Sequence, residues 1–583
     1  MHGADFLSLL LLLLFGWKVE AVVTVCHDDT FVPDAVLRVT AQNKTTSCLP
    51  SKSTVLVNGT APGPELRLVE GQTYWIRVYN DMPSANLTMH WHGLSMAVSP
   101  FADGTPQVSQ WPIPPMHFFD YEIKPEIGMA GTYFYHSHVG FQSVSAAGPL
   151  IVDDCNGPPY KYDDEKIVFI QDTFAGNDST IEAGLINNPL VWSGEAAAIL
   201  VNGQGGGSNN GTTCNSTLSS LDVQPRKTYR LRFISATALT FASLAIEGHS
   251  TLTVIEADGQ PYNTSFLQVA SGQRFSVLLT TKPTSRKAHY LMQLESRERP
   301  TVTRGFAVLN YGAPQPPSVF YPPAQPVMTL PDTTLGFLDY ALSPHSMYGE
   351  YYPSAKDVTR RITVVVHQRV TGPTIWAENN YNWTETFPQE PYLVSLYKSD
   401  GIEFPSMERA LANNGIDPVT RAFPAQIGEI IEIVIQNTGA DAGGLDAHPF
   451  HAHGAHYWDL GSGNGIYNST ANDIKLAGTQ PVKRDTTMLY RYAMTTGNGT
   501  QMGWRAWRLN VTEPGVWMIH CHILQHMLMG MQTIWVMGNS SEVLGKVPSP
   551  EVDGYLTYGG DVYGNKTHAP HVVHFLDNWE EAQ

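Results

Sequence analysis

A cysteine flanked by two histidines is the part of this chain best suited to metal chemistry. Successive side chains of an extended strand face opposite sides, so His520 and His522 project together while Cys521 points the other way. A thiolate, two imidazoles and a weak axial thioether form the ligand set of an electron-transfer copper ion. His526 and Met531, further along the same stretch, can supply an imidazole and the thioether. The stretch therefore predicts one copper ion at Cys521 and a second metal centre beside it.

Three further histidine pairs repeat the His-x-His spacing. They are His90 and His92, His136 and His138, and His451 and His453. With His520 and His522 they provide eight imidazoles, which suit three copper ions, and His448 is left to complete the set of Cys521 and His526. A single pair of this kind is more often surface or packing chemistry, but these clusters hold ten of the 21 histidines. The clustering therefore predicts copper centres.

Four motifs around these residues resemble the copper-binding motifs of the multicopper oxidases, and within that family the fungal laccase-like and ascorbate-oxidase-like enzymes. In chain order they are HWHG (90–93), YHSHVG (135–140), HPFHAHG (448–454) and HCHILQHMLMGM (520–531). The resemblance implies four copper ions, one of type 1, one of type 2 and two of type 3. It implies type 1 ligands His448, Cys521 and His526 with Met531 axial, type 2 ligands His90 and His451, and type 3 ligands His92, His136, His138, His453, His520 and His522.

Internal repeats indicate an all-β chain of three related domains. Residues 71–80, 225–235 and 427–437 are similar strands with alternating β-branched and aromatic residues. The resemblance implies that each domain is a cupredoxin-like Greek-key β-sandwich. We predict domains at 22–155, 156–313 and 361–540, a proline-rich linker at 314–360 and a C-terminal tail at 541–583. The histidine pairs lie in the first and third domains, so their cluster is expected where those two domains meet.

Composition indicates a secreted protein. Residues 6–15 form an apolar run of signal-peptide length, and we expect residues 1–21 to be removed as a signal peptide. No later segment is apolar enough to span a membrane, and Asn-x-Ser/Thr sequons such as those at Asn43 and Asn565 fit passage through the secretory pathway. The excess of 53 acidic over 35 basic residues argues against nucleic acid as a partner. The expected partners are a small-molecule reductant and O2.

Four cysteines remain once Cys521 is assigned to copper, and the secretory pathway favours their pairing. The sequence allows three connectivities. Cys48 and Cys214 occupy positions that resemble the cysteines joining the first and second domains of plant ascorbate oxidases. The resemblance therefore favours Cys48 with Cys214 and leaves Cys26 with Cys155.

Two positions bear on proton supply. Asp103 resembles the carboxylate that laccases place near the type 2 copper, although an Asp before Gly104 is also an ordinary turn residue. The need of metal ligands for hydrogen-bonding partners favours the functional role. Laccases often carry an acid in the loop after the copper cysteine, and here that position is Leu524. Proton delivery by that loop is therefore not expected.

The substrate pocket is expected around Trp192, Glu195 and Trp376. Residues 192–195 resemble the segment that brings a Trp and a Glu to the type 1 pocket of ascorbate oxidase, and Trp376 resembles its second pocket Trp. Either indole could stack on an enediol or an aromatic ring, and Glu195 could accept a substrate proton. Ordinary core packing is the alternative for each tryptophan.

The function predicted first is a laccase-like oxidase that couples one-electron oxidation of phenols, in a fungal pigment or natural-product pathway, to reduction of O2 to water. Ascorbate oxidation is the second interpretation. Ferroxidase activity is the third, because its membrane-anchored members need a span that this chain lacks. A copper-binding electron carrier is the non-enzymatic alternative, but it would need only the Cys521 site, and the other eight histidines argue against it.

Overall fold

The computed structural model describes most of the chain between residues 23 and 576. The described ranges are 23–206, 208–209, 212–213, 216–256, 260–283, 287–312, 320–345, 351–384, 390–398, 403–547 and 549–576. The predicted signal peptide at 1–21, Cys214 and parts of the predicted linker lie outside the described residues. No helix within the described ranges is long and apolar enough to cross a membrane.

The first β-sandwich packs two four-stranded sheets face to face. Its strands are β1 (Val23–Cys26), β2 (Ala35–Lys44), β3 (Lys52–Val57), β4 (Leu66–Val69), β5 (Tyr74–Asn80), β6 (His90–His92), β7 (Phe118–Ile123), β8 (Gly131–His136) and β9 (Ala147–Asp153). One sheet has the order β3-β2-β5-β7 and the other β4-β9-β8-β6, while β1 lies outside both. Alternate apolar residues such as Leu37, Val39, Ile76 and Val78 are fully buried, because successive side chains of a strand face opposite sides. The sheet ending in β6 carries His90, His92 and His136 of the first two histidine motifs.

The middle β-sandwich has a core of its own. Its elements are β10 (Asp164–Thr173), α1 (Asp178–Leu185), β11 (Ala198–Val201), β12 (Ser208–Asn209), β13 (Thr212–Thr213), β14 (Ser219–Asp222), β15 (Thr228–Ser235), β16 (Phe241–Ile246), β17 (Leu252–Val254), β18 (Tyr262–Thr264), β19 (Leu267–Val269), β20 (Arg274–Thr280), β21 (His289–Arg297) and β22 (Arg304–Asn310). A six-stranded sheet β11-β10-β15-β20-β17-β18 faces a five-stranded sheet β14-β22-β21-β16-β19. Leu231 and Val277 from the first sheet and Leu244 and Leu294 from the second share one buried cluster.

The third β-sandwich carries Cys521 and the histidines of the last two motifs. Its elements are β23 (Arg360–Val370), β24 (Thr374–Glu378), α2 (Tyr392–Lys398), α3 (Met407–Leu411), β25 (Ala422–Ala425), β26 (Ile430–Thr438), β27 (His448–Ala452), β28 (Tyr457–Gly463), α4 (Ser469–Leu476), β29 (Lys483–Arg484), β30 (Thr486–Leu489), β31 (Gln501–Asn510), β32 (Gly515–Cys521), α5 (Leu524–Leu528) and β33 (Gln532–Met537). The sheets are β24-β23-β26-β31-β28-β29 and β25-β33-β32-β27-β30. The second sheet places β27 directly beside β32.

The predicted C-terminal tail packs back onto the first sandwich. Its elements are α6 (Ser540–Leu544), α7 (Ser549–Val552) and β34 (His571–His574). Strand β34 pairs antiparallel with β1, and the backbones of Phe118 and Gly564 exchange hydrogen bonds. These elements are too short for their sequence pattern to reveal them. The domain boundaries given above stay predictions.

The predicted disulfide between Cys26 and Cys155 is wrong. Both residues are exposed, free thiols. Cys26 ends β1 opposite His571 of β34, while the backbone N–H of Cys155 donates to the Glu70 carboxylate at 3.3 Å. Pairing by elimination took no account of this strand pairing between the two termini. The pairing of Cys48 with Cys214 stays a prediction.

Candidate metal centres

Two pairs of neighbouring strands deliver the histidines. Strand β6 pairs with β8 so that His90 lies opposite His136, and β27 pairs with β32 so that His451 lies opposite His520. The partners of each pair project from the same face of their sheet. The ten histidines of the four motifs are all buried. The sheets thus bring residues distant in sequence to one place.

Cys521 forms the first site with two histidines. Its Sγ lies 3.8 Å from Nδ1 of His448 and 3.8 Å from Nδ1 of His526, and these two nitrogen atoms are 3.1 Å apart. Met531 is fully buried; its carbonyl accepts from the Cys521 N–H, and its own N–H donates to the His526 carbonyl, both at 3.1 Å. One sulfur and two imidazole nitrogens therefore face each other in a triangle, as a trigonal copper site requires.

The other eight histidines form a second cluster between the first and third sandwiches. These histidines fall into groups of three whose ring nitrogens lie within 4.8 Å of one another. The groups are His90 with His92 and His451, His92 with His136 and His522, and His138 with His453 and His520. Each group mixes residues of the two sandwiches. His520 and His522 enter different groups, while Cys521 between them belongs to the first site.

For most of these imidazoles, hydrogen bonds at the periphery decide which nitrogen faces the interior of the cluster. Four Nδ1 atoms lie beside backbone carbonyls: His90 by Asp103 (2.7 Å), His136 by Ser137 (2.8 Å), His451 by Asp485 (3.0 Å) and His520 by Cys521 (2.9 Å). A carbonyl oxygen only accepts, so Nδ1 carries the proton and Nε2 offers its lone pair inward. His92 is reversed, because its Nε2 lies 3.0 Å from Thr486 Oγ1 and 3.3 Å from the Asp485 carboxylate.

Unpartnered nitrogen atoms show that the cluster fits metal ions. Nδ1 of His92 and Nε2 of His136 and His522 are buried without a hydrogen-bond partner among the described residues. Such atoms are costly unless something binds them, and convergent imidazole lone pairs suit copper. Burial and neighbouring imidazoles lower the pKa of His136 to about 3, and burial lowers that of His138 to about 4. Both are therefore neutral at neutral pH, the form of histidine that binds metal.

Burial likewise disfavours the charged forms of the ligands at the Cys521 site. Burial, with a smaller effect of neighbouring positive charge, lowers the pKa of His448 and His526 to about 3. Burial also raises the pKa of the Cys521 thiol well above its usual value. Because the thiolate is the ligand form, metal binding at this site must displace the thiol proton.

Asp103 lies between two histidines of the larger cluster. Its Oδ2 accepts from Nδ1 of His453 at 2.9 Å and from the Thr105 hydroxyl, and its Oδ1 lies 3.5 Å from Nδ1 of His90. Since a carboxylate accepts from His453 Nδ1, the Nε2 atom of that ring faces inward. The turn that contains Asp103 therefore also orients the cluster.

Sequence reasoning missed Asp485, which lies between β29 and β30. Its carboxylate contacts His92 and is bound by Arg274 through two hydrogen bonds of 2.6 and 2.5 Å. Burial acts to raise its pKa, but the Arg274 charge holds that pKa well below the usual range. Asp485 also lines a cavity of about 570 Å³, together with His456 and residues of all three sandwiches. No local motif marks Asp485, because only the fold brings it to the histidines.

The two predicted pocket tryptophans differ in exposure. Trp376 is 3% exposed and packs against His448 and His526, with its ring centroid 4.8 Å from that of each. Its faces are covered, so the predicted stacking of substrate on Trp376 is not available in this arrangement. Trp192 is half-buried, and its ring centroid lies 6.3 Å from that of His526.

Glu195 is not free to act as the predicted base. Both of its carboxylate oxygens accept hydrogen bonds from Arg299, at 2.7 and 2.8 Å. A second missed residue, Asp446, lies nearer the metal site, with its carboxylate 3.5 Å from Nε2 of His526 and 3.6 Å from Arg299. Glu195 is thus linked to this edge of His526 only through Arg299 and Asp446, and Asp446 is the acid that faces the ring.

A triangular thiolate–imidazole site joined by one strand to a buried cluster of eight imidazoles defines a copper-dependent oxidase. The chain belongs to the multicopper oxidase family, whose sequence profiles, each described as "Multicopper oxidase", match residues 38–157, 164–314 and 388–541. Members use type 1, type 2 and type 3 copper sites with four ions in all, and are oxidoreductases with O2 as acceptor. The predicted family, three-domain cupredoxin-like fold, enzyme class and copper cofactor are thus confirmed.

Several relatives are similar over almost their full length. "Laccase-like multicopper oxidase 1" of Thermothelomyces thermophilus is 44% identical over 98% of this chain and 97% of its own, and "Multicopper oxidase aurL2" of Gibberella zeae is 46% identical over 95% and 96%. The "L-ascorbate oxidase" of Cucumis sativus is 32% identical over 84% and 86%. Among solved structures, Fet3p, "a Multicopper Oxidase that Functions in Iron Import", has a TM-score of 0.66 at 23% identity over 86% of this chain and 90% of that one. That likeness concerns the fold alone.

Proposed function

We propose that this protein is a secreted laccase-like oxidase that takes single electrons from phenolic substrates beside Cys521 and uses four of them to reduce O2 to water. In this proposal His448, Cys521 and His526 hold the type 1 copper with Met531 as the weak axial ligand. His90 and His451 hold the type 2 copper. The type 3 pair is held by His92, His136, His138, His453, His520 and His522.

The course of strand β32 is the observation that carries the proposal. Cys521 faces the first site, while His520 and His522 on either side enter two different groups of the second cluster. The backbone therefore gives a continuous covalent path from the electron-accepting site to the cluster. An electron carrier would need no such path and no second cluster, which favours an oxidase.

Bound copper supplies the one-electron and oxygen chemistry, and the chain supplies positioning and protons. Asp103 and Asp485 hold His453 and His92 in their orientations. The cavity of about 570 Å³ that Asp485 lines lies beside the cluster and contains polar groups that water can contact.

The edge of His526 supports a hydroxylated, flat reductant. Half-buried Trp192 offers an aromatic surface, and Asp446 lies 3.5 Å from His526 Nε2, where it can accept a hydrogen bond from a substrate hydroxyl. Phenols and enediols share this chemistry. The greater identity to fungal relatives, one named laccase-like and others aurL2 and terE, favours phenols of a fungal natural-product pathway over ascorbate.

Oxygen uptake tests the proposal directly. Copper-loaded protein should consume O2 fastest with a diphenol, more slowly with ascorbate and least with ferrous ion. Faster uptake with ascorbate would support the second candidate, which the ascorbate oxidase relatives favour. No uptake above that of Cys521→Ser with any of the three would contradict an oxidase function. Recovery of the protein from the culture medium tests secretion.

A further inference from the structure

The middle sandwich contains none of the histidine pairs, yet one of its loops reaches the eight-histidine cluster. The loop runs from Ala270 to Gln273, between β19 and β20, and Arg274 is the first residue of β20. Ser271 is buried, and its hydroxyl lies 2.9 Å from Nδ1 of His522 and 2.9 Å from the His522 carbonyl. The same hydroxyl also contacts the Thr237 carbonyl. Because both carbonyls can only accept, the Ser271 proton goes to one of them and the Ser271 oxygen accepts from His522 Nδ1–H. Nε2 of His522 is then left with a free lone pair.

Gly272 places the loop backbone between two rings from different sandwiches. Its φ is +80°, and a Cβ there would lie 3.0 Å from Cδ2 of His522 and 3.0 Å from Cε1 of His92. A side chain at this position would therefore both strain the backbone and press on both imidazoles. The loop fits against the two rings with no room for a methyl group.

Arg274 acts on the second of these rings through an acid. It binds both oxygens of the Asp485 carboxylate, which lies 3.3 Å from Nε2 of His92. A carboxylate held charged by Arg274 accepts from an N–H, so Nε2 of His92 carries the proton and Nδ1 keeps its lone pair. His522 and His92 thus present opposite nitrogens, Nε2 and Nδ1, to the group they share with His136.

We propose that Ser271, Gly272 and Arg274 of the middle sandwich are positioning residues that select which imidazole nitrogen His522 and His92 present to the type 3 copper pair. The inference rests on the copper assignment proposed above. If either ring turned over about its Cβ–Cγ bond, a ring C–H would replace the inward nitrogen and that ring could not bind copper. The middle sandwich then does more than space its neighbours, because the type 3 site is incomplete without its loop.

The test compares matched variants of the middle sandwich. Ser271→Ala removes the hydroxyl, and its control is Ser243→Ala, which removes an equally buried hydroxyl without a partner in the described part of the chain. Gly272→Ala adds a methyl group against the two rings. Its control is Gly248→Ala, where φ is also positive, at +69°, and the nearest atom is the flexible end of Lys282.

Copper-loaded proteins are titrated with a chelator, and copper per chain, the EPR-silent fraction and the blue absorption of the Cys521 site are measured. Loss of a hydrogen-bonding partner of a metal ligand typically lowers metal affinity about 10- to 100-fold. Ser271→Ala and Gly272→Ala should therefore lose the EPR-silent copper at correspondingly lower chelator concentration than their controls, with blue absorption retained. Loss at the same concentration as the controls would overturn this inference. A wild-type protein without EPR-silent copper would instead overturn the copper assignment itself.

Discussion

The two candidate copper centres are built in different ways. His448, Cys521 and His526 all belong to the third sandwich, and Trp376 of the same sandwich packs on both imidazoles. The eight-histidine cluster takes its ligands from the first and third sandwiches, and each of its groups includes both. The Cys521 site can therefore form within one folded domain, whereas the cluster exists only where domains meet.

The two centres also differ in the polar groups that surround their ligands. Around the cluster, Asp103, Asp485 and Ser271 each bind a histidine nitrogen that faces away from the metal position. At the Cys521 site, Nε2 of His448 is buried without a partner among the described residues. The cluster is therefore held by several hydrogen bonds from outside, whereas the Cys521 site is held by packing and by the Asp446 carboxylate 3.5 Å from Nε2 of His526. Substitutions of residues that are not metal ligands should therefore damage the eight-histidine cluster more than the Cys521 site.

The largest effect is expected from Cys521→Ser, which should abolish both the blue thiolate-to-copper absorption and substrate turnover. Because Cys521 faces away from the other eight histidines, the cluster should keep its copper. Absorption spectra and copper content per chain measure the two sites separately. A variant that stays blue, or one that loses all its copper, would contradict the separation of the sites.

Asp103→Ala should lower copper affinity or activity about 10- to 100-fold while leaving the blue absorption intact. It removes the acceptor of His453 Nδ1, so the ring is no longer held with Nε2 inward. Asp103→Asn keeps one carbonyl oxygen and should cost less. Equal effects of the two substitutions, or loss of the blue absorption, would mean that Asp103 acts on the fold rather than on the cluster.

Acid should destabilise the copper-free protein. The pKa values of His136, His448 and His526 are about 3 in the folded chain, against 6.5 for an ordinary histidine. Between these values the unfolded chain binds more protons, so the free energy of unfolding falls as pH decreases from about 6.5 towards 3. The slope is about 1.4 kcal/mol per pH unit for each such histidine.

Urea denaturation of copper-free protein at pH 7 and pH 5 measures this effect. Copper-loaded protein is the control, since bound metal keeps the imidazoles unprotonated and should reduce the loss. A copper-free protein equally stable at both pH values would contradict the burial of these histidines as neutral groups.

Much of both centres could be predicted from sequence, because their ligands lie in four short motifs whose two-residue spacing matches a strand. Asp485, Ser271 and Asp446 could not, since they reach the histidines only through the packing of separate elements. Glu195 was found by resemblance, but the pairing with Arg299 depends on residues more than a hundred positions apart. The Cys26–Cys155 disulfide was predicted wrongly for the same reason, because the pairing of β1 with β34 joins segments that are distant in sequence.

A smaller effect is expected at the edge of His526. Asp446→Asn should impair oxidation of a diphenol more than oxidation of a non-protic one-electron dye, because only the diphenol has a hydroxyl for Asp446 to accept from. Glu195→Gln should have the same selectivity but a weaker effect, because Glu195 reaches this edge through Arg299. Steady-state kinetics on the two donors measure both. Equal losses on diphenol and dye would assign both acids to structure.

The smallest and most specific change concerns Met531. As a weak axial ligand, its thioether should donate electron density that stabilises oxidised copper and so lowers the reduction potential of the Cys521 site. Met531→Leu keeps an apolar side chain of similar volume in this fully buried position, so packing should suffer little. Redox titration should show a higher potential in the variant, with the eight-histidine cluster unaffected. An unchanged or lower potential would mean that Met531 does not approach the copper.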